Sequence, residues 1–463
     1  MIHLAFQSGT IVLWDDDSAA QGRPLPGRLT TWCKFDTRIQ RWRAMACDYA
    51  PILAELYHEH IPYDDQARAY ETLALDFRPG KEPRDYQAAA LAAWQSAARR
   101  GVVVLPTGTG KSFLAQLAIA AAARSTLVVV PTLDLLAQWA LQLRNAFHCP
   151  VGTIGGGSHD IQPITVSTYD SALLQMEFIG NRFGLLVVDE CHHLPGPMYA
   201  QIAKLAIAPW RLGLTATPER QDGLDTEYAN LLGPICFRRE ITELSEATVL
   251  APYETITLDV ELDPDEQEEY NRNHAAYVDF LHRNKISLGT PQGWGFFLRA
   301  CARQPDGRDA LNAYLTQRKV ARSSRAKLRQ IHELLQVHRH DRTIIFTADN
   351  ATAYRIGDTF CLPVITHHTK TPERIAFLDA FREGRYPVLV TSKVLNEGVD
   401  VPAASVGIIV SGSGSVREHV QRLGRILRPA PGKTALLYEL VSLGTGETYV
   451  SERRRNHPAY NNA

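Results

Sequence analysis

Val102-Val-Val-Leu-Pro-Thr-Gly-Thr-Gly-Lys-Ser112 joins a candidate strand to a candidate helix through a glycine turn. The run Val102 to Val104 is β-branched and free of polar interruptions, which predicts a buried strand. Gly108 and Gly110 allow a tight turn whose backbone N–H groups face inward and can cradle phosphate oxygens, with Thr107 and Thr109 in the same loop. Lys111 would place its charge on the β- and γ-phosphates, and the Ser112 hydroxyl can ligate Mg²⁺. The Leu/Ala-rich segment from Phe113 to Ala123 predicts a helix whose N-terminal dipole faces the anion. Leu105 stands where the strict pattern has glycine. The loop alone therefore does not separate a nucleotide site from an ordinary strand-turn-helix corner, and the rest of the chain must.

Length bounds the architecture: 463 residues predict about three domains, each able to bury its own core. A formal net charge of -1 requires any basic surface to be local. The seven cysteines are scattered with no Cys-x-x-Cys pair, which fits a reduced cytoplasmic chain better than a disulfide framework or a zinc site. No apolar run approaches the ~20 residues that span a bilayer, and the N-terminus lacks the pattern of a signal peptide.

Residues 1–80 predict a separate small mixed domain. Its segment from Thr30 to Ala44 interleaves Trp32, Phe35 and Trp42 with Arg38, Arg41 and Arg43. Such a patch either stacks on bases and holds phosphates or simply fills its own core with the rings. Arg84 and Gln87 follow, at the start of an Ala-rich helix. A glutamine there has the donor and acceptor that an adenine edge needs, and equally those of a helix cap.

From 81 to 240, strand and helix patterns alternate, with strands at Val102–Leu105, Leu127–Val130, Ile164–Ser167, Leu185–Val188 and Leu212–Leu214. That alternation predicts a parallel sheet with crossover helices and chemistry at the strand C-termini. Asp189-Glu190 ends one of these strands. Two adjacent carboxylates are costly without a cation; beside a triphosphate Asp189 can hold Mg²⁺ and Glu190 can orient and deprotonate the attacking water. Thr132, Thr168 and Thr391 lie at strand ends as candidate contacts to a nucleic-acid backbone, and His192 as a relay from the carboxylates to Thr215 and Thr217.

The stretch 241–340 predicts a helical insertion. Asp259 to Glu269 carries seven acidic residues, and Arg299 to Arg329 holds nine Lys/Arg against two Asp. Arg318, Arg322, Arg325 and Arg329, at spacings of four, three and four, would share one helix face, either solvated or tracking nucleic acid. A second alternation at 341–445 has no phosphate loop. It offers Gly398 and Asp400, and then Gln421, Arg422, Arg425 and Arg428. Fixed guanidinium groups suit a phosphoryl-transfer transition state, so ATP is expected between two sheets. Residues 446–463 predict a polar tail.

Six motifs in this order resemble superfamily 2 helicases: the glutamine motif Arg84–Gln87, the phosphate loop, Asp189-Glu-Cys-His192, Thr215-Ala-Thr217, Gly398/Asp400 and Gln421-x-x-Gly-Arg425-x-x-Arg428. Phe35-Asp-x-Arg38 with Trp42-Arg-Ala44, and Asp189-Glu-Cys-His-His-Leu-Pro195, are most similar to the XPB family. The resemblance implies an α/β chain with two RecA-like parallel-sheet domains, a small N-terminal damage-recognition-like domain and a thumb-like helical insertion. It implies ATP- and Mg²⁺-dependent 3′-to-5′ opening or translocation of single-stranded or forked DNA in nucleotide excision repair. A nuclease partner is implied for archaeal members. Arg220 and Asp222 are carried over as nucleic-acid residues from a family Arg-Glu-Asp triplet, which here has Gln221 at its centre. Two alternatives stay open: a duplex translocase that does not separate strands, and an ATP-gated clamp that positions a nuclease.

Overall fold

Valine-rich runs with no polar face form the centre of a large sheet, because only a strand covered on both sides tolerates them. In the computed structural model, residues 1–15, 25–219, 223–240, 243, 253–290, 292–392, 404–411 and 435–448 are described. The chain divides into two units, Met1–Glu240 and Ile241–Ala463.

The first unit holds an eight-stranded sheet in the order Ile235–Arg238, Arg100–Val104, Trp210–Thr215, Leu185–Asp189, Thr126–Val130, Ile164–Thr168, Gly152–Gly155 and Ser158–Asp160. Every neighbouring pair is parallel except the last. The five strands expected from the valine pattern form its contiguous middle. Three edge strands were not expected. Gly156 and Gly157, at φ 59° and 90°, make the two-residue turn of the hairpin Gly152–Gly155/Ser158–Asp160, a conformation that glycine adopts without strain.

A second sheet in this unit runs Lys34–Asp36, Arg41–Met45, Thr10–Asp15, Ile2–Gln7 and Tyr63–Asp65. Leu4, Ile11, Leu13, Tyr49 and Ile52 form its core, and Ile207 of the larger domain completes it. Asn181 Nδ2 donates to Ala67 O at 3.0 Å, and Ala69 N donates to Asn181 O at 3.1 Å, fixing the junction. Trp32 and Trp42 pack against this core, and Phe35 meets Trp42 edge-on at 5.4 Å. Asp36 accepts from Arg38 at 3.0 and 2.9 Å and from Arg43 at 3.2 Å, and the Arg38 hydrogen bonds pull its carboxyl down to about 2. The rings here thus pack into their own core, while Arg38 and Arg43 are held by Asp36.

The second unit is built on a parallel sheet in the order Tyr253–Val260, Ala435–Ser442, Val406–Ile409, Thr343–Phe346, Val388–Thr391 and Val364–Ile365. The stretch 241–340, expected to be helical, therefore contains an eight-residue strand, Tyr253–Val260, paired along its length with Ala435–Ser442. Helices Pro264–Arg283, Gly293–Arg303, Gly307–Arg322 and Arg325–Val337 come after it. The first three pack through Phe280, Phe297 and Ala310, with Tyr277 and Tyr314 against them.

One expectation about these helices is corrected. Arg318, Arg322, Arg325 and Arg329 do not share a continuous helix, because it breaks at Ser323-Ser324, where the Ser324 hydroxyl accepts from Lys327 N at 3.3 Å and caps a new one. Arg325 pairs with Asp263, Asp265 and Glu266, and Arg329 with Asp263 at 2.6 Å. The acidic and basic stretches are partners, and Asp263, placed at the start of Pro264–Arg283, spends its carboxylate on the two arginines.

Arg211 is the most deeply committed charge of the first unit. It is fully buried and donates to the carbonyls of Ala206 at 2.9 Å, Ala208 at 3.0 Å and Leu231 at 2.6 Å; burial, helped by nearby Arg100, pulls it down to about 9. Arg211→Met leaves those buried carbonyls without their donor and is expected to lower stability by about 3 kcal/mol, read from urea unfolding of this unit.

Candidate active site

Parallel strands bring their C-terminal ends to one edge of the sheet, and the phosphate loop leaves that edge after Arg100–Val104. Leu105 N donates to Thr215 O at 3.0 Å, so the start of the loop is tied to the strand that lies between its own and Leu185–Asp189. Gly108 and Gly110 take φ of 86° and 84°, and Lys111 opens the helix Lys111–Ala122. Thr109 Oγ1 donates to Pro106 O at 2.7 Å, closing the turn. Thr107 Oγ1 is a buried oxygen with no hydrogen-bond partner among the described residues. Ser112 lies in the first turn of the helix and in the wall of a cavity of about 370 Å³, beside Arg78, Lys81 and Phe113.

Gln87 holds this loop. Its Oε1 accepts from Arg84 N at 3.1 Å, while Nε2 donates to Thr109 O at 3.0 Å. Tyr86 adds a hydroxyl donated to the same carbonyl at 2.5 Å. A Cβ on Gly110 would lie 2.7 Å from Gln87 Nε2, so the close approach needs glycine on both steric and φ grounds. Each end of the Gln87 amide retains capacity for one further hydrogen bond.

Asp189 and Glu190 stand at the end of Leu185–Asp189, 7% and 9% exposed. Burial, and then the charge of Glu190, push the Asp189 carboxyl up to about 6; Lys111 and the Trp139 hydrogen bond act against this. Trp139 Nε1 donates to Asp189 Oδ2 at 3.0 Å, and Glu190 N donates to Oδ1 at 3.0 Å. Lys111 Nζ is 3.9 Å from Glu190 Oε1 and donates to Leu105 O at 3.2 Å. Glu190 has φ 45°, a left-handed conformation uncommon for a side chain of this size. Tyr169 donates its hydroxyl to the carbonyls of both Asp189, at 3.0 Å, and Glu190, at 3.1 Å.

Fully buried His192 places Nδ1 3.1 Å from Thr215 Oγ1 and 3.4 Å from Glu190 Oε2, and Thr217 N donates to Thr215 Oγ1 at 3.1 Å. Carboxylate, imidazole and threonine are adjacent, but both contacts fall on the same ring nitrogen, so no relay runs through the ring.

These residues suit a triphosphate with a divalent cation. Two buried carboxylates, one held above its ordinary range, lie beside a lysine and the start of a helix. No group of three or more metal-ligating side chains occurs among the described residues. A cation held by Asp189 and Ser112 must therefore complete its shell with phosphate oxygens and water, as Mg²⁺ does.

The strand-end threonines are placed differently from one another. Thr132 and Thr168 cap the helices Leu133–Phe147 and Tyr169–Ile179, accepting from Leu135 N and Ser171 N at 3.3 Å. In the second unit Thr391 is fully buried, its hydroxyl donated to Ser392 O at 3.0 Å. Arg220, Asp222, Gly398, Asp400, Gln421, Arg425 and Arg428 lie outside the described residues. Sequence alone missed Tyr86, Trp139 and Tyr169; at apolar helical positions their rings read as core, and nothing local marks where an N–H or O–H points.

Three family models match the chain: the res subunit of type III restriction enzymes over residues 80–220, the ERCC3/RAD25/XPB C-terminal helicase over 311–458, and the Xeroderma pigmentosum group B helicase damage recognition domain over 4–67. The chain is 38% identical over 431 residues to the DNA 3'-5' translocase XPB2 of Sulfurisphaera tokodaii, covering 87% of this chain and 98% of that one. Its identity to the DNA 3'-5' helicase XPB of Mycobacterium tuberculosis is 31% over 391 residues, 81% of this chain and 64% of the relative. The Pyrococcus furiosus Hef helicase domain superposes with a TM-score of 0.55 at 19% identity, covering 81% of this chain and 98% of that domain, which shows the shared fold. With nearly the whole of the Sulfurisphaera translocase matched, and with family-specific models at both ends, the chain belongs to the XPB family.

Proposed function

We propose that the chain is an ATP-hydrolysing 3′-to-5′ DNA translocase and helicase that opens DNA in nucleotide excision repair. What supports this is one convergence: a glycine loop with Lys111, and the buried pair Asp189–Glu190, meet at a single sheet edge with Lys111 Nζ 3.9 Å from Glu190. Named relatives that are DNA 3'-5' translocases and helicases give the polarity and the substrate.

The loop N–H groups and Lys111 bind the triphosphate, with Gln87 and Arg84 beside the base. Bound Mg²⁺ supplies charge neutralisation for the phosphates and a fixed geometry for the leaving group. Asp189 and the Ser112 hydroxyl hold it. Glu190 takes a proton from the attacking water, with His192 and Thr215 behind it to sense the change in charge. Gly398, Asp400, Gln421, Arg425 and Arg428 belong to the same proposal as transition-state and nucleotide contacts from the second unit. Thr132, Thr168, Arg220 and Asp222 belong to it as the grip on a DNA strand; Thr391 does not, because it is fully buried with its hydroxyl given to Ser392 O. By family likeness the work is cytoplasmic and directed toward a nuclease partner. Among the described residues no helix is long and apolar enough to cross a membrane.

Steady-state ATP hydrolysis, measured without nucleic acid and with single-stranded DNA, duplex DNA or RNA, tests this directly. DNA is expected to stimulate turnover, and Lys111→Ala to lower it ~10²–10³-fold. Turnover indifferent to every nucleic acid would sink the motor. Preference for duplex over single strands would favour pumping over strand separation. Glu190→Gln should keep nucleotide binding, read by a fluorescent ATP analogue, while hydrolysis falls ~10²–10⁴-fold. Gly110→Ala, whose methyl would meet Gln87 Nε2 at 2.7 Å, should instead weaken that binding; unchanged affinity would show that the loop does not cradle the nucleotide.

A further inference from the structure

Two helices of the first unit begin at a strand-end threonine and deliver a buried aromatic donor to the carboxylate pair. Thr132 caps Leu133–Phe147, and two turns later Trp139, 2% exposed, donates to Asp189 Oδ2 at 3.0 Å. Thr168 caps Tyr169–Ile179, and Tyr169, 3% exposed, donates to the carbonyls of Asp189 and Glu190. One helix thus fixes a carboxylate side chain, and the other fixes the peptides that carry both carboxylates. Glu190 needs such support, since its left-handed backbone persists only where its surroundings over-determine it.

The two threonines are also mechanically joined. A Cβ on Gly155 would lie 3.0 Å from Leu136 Cδ1, in the first turn of one helix, and 3.1 Å from Thr168 Cγ2, at the cap of the other. The glycine hairpin therefore packs against both helix starts. A ligand that moves this edge moves Tyr169, the residue next to Thr168, and Trp139, two turns into the other helix, and both are hydrogen-bonded to the Asp189–Glu190 pair. Water is excluded from both contacts, so neither donor has a ready substitute.

The geometry points to Trp139 and Tyr169 as positioning residues that set the Asp189–Glu190 pair according to whether Thr132 and Thr168 hold nucleic acid. The coupling rests on the proposed function, because it needs DNA at those threonines and ATP at the carboxylates. Outer partners that orient a metal-holding carboxylate typically contribute ~10–100-fold to activity. A residue that only fills the core would lower stability and depress all turnover alike.

Trp139→Phe and Tyr169→Phe keep a ring and remove the donor. With single-stranded DNA, each is expected to lower kcat ~10–100-fold, with KM for ATP moving much less, and to shrink the ratio of DNA-stimulated to basal turnover. Variants that keep the wild-type ratio overturn the coupling. A wild-type measurement stands apart from whether the variants fold: hydrogen exchange of the peptide 186–193 with single-stranded DNA and no nucleotide. Slower exchange on adding DNA is expected, and unchanged exchange overturns the coupling. If no nucleic acid stimulates the wild type, the proposed function fails and takes the coupling with it. A stimulated wild type beside variants with an unaltered ratio overturns the coupling alone.

Discussion

Two carboxylates on adjacent residues at a buried strand end cannot both stay charged without compensation, and Asp189–Glu190 is such a pair. Its surroundings are the compensation. Lys111 brings a positive charge to Glu190, Trp139 and Glu190 N donate to Asp189, and Tyr169 holds the peptides. These contacts are incomplete, since the Asp189 carboxyl still sits above its ordinary range because of burial and its neighbour. A cation with a triphosphate, as proposed, would remove that deficit. Strand order makes this possible. The strand that carries Thr215 lies between the loop's strand and that of Asp189, and Thr215 contacts both Leu105 N and His192.

Much of this was legible because it follows from local chemistry. An uninterrupted run such as Val102–Val104 can only be a covered strand, and Gly108 and Gly110 are the residues that a positive φ demands. Pro264 opens its helix for a reason confined to one turn, whereas the Asp263 carboxylate turns to Arg325 and Arg329 instead of capping it. The hairpin Gly152–Gly155/Ser158–Asp160 escaped notice because glycine has little strand propensity of its own. Tyr253–Val260 alternates apolar and polar residues as a strand should, yet the acidic run that follows dominated the pattern. Trp139 and Tyr169 were beyond reach in another way. Their ring positions are local facts, whereas their hydrogen-bond partners lie 50 residues away or 20 and 21 away across the sheet.

The placement of charge bears on how such a chain would hold a strand. The arginines that looked like a track are engaged, Arg325 and Arg329 by the acidic helix start, Arg322 by Asp349 at 3.4 Å and Arg318 by the Tyr314 hydroxyl at 2.6 Å, and in the N-terminal patch Arg38 and Arg43 are held by Asp36. Exposed pairs of this kind add little stability, but they cancel the field that would otherwise draw in any polyanion. Among the described residues the helix starts at Thr132 and Thr168 remain at the sheet edge, with Thr168 itself buried and its hydroxyl given to Ser171. Contacts from N–H and O–H groups release fewer counterions than lysine or arginine, so they grip a phosphate backbone without sequence preference and with less dependence on salt. In the proposed coupling, the helices that start there and reach Asp189 and Glu190 would be the route from such a grip to the nucleotide.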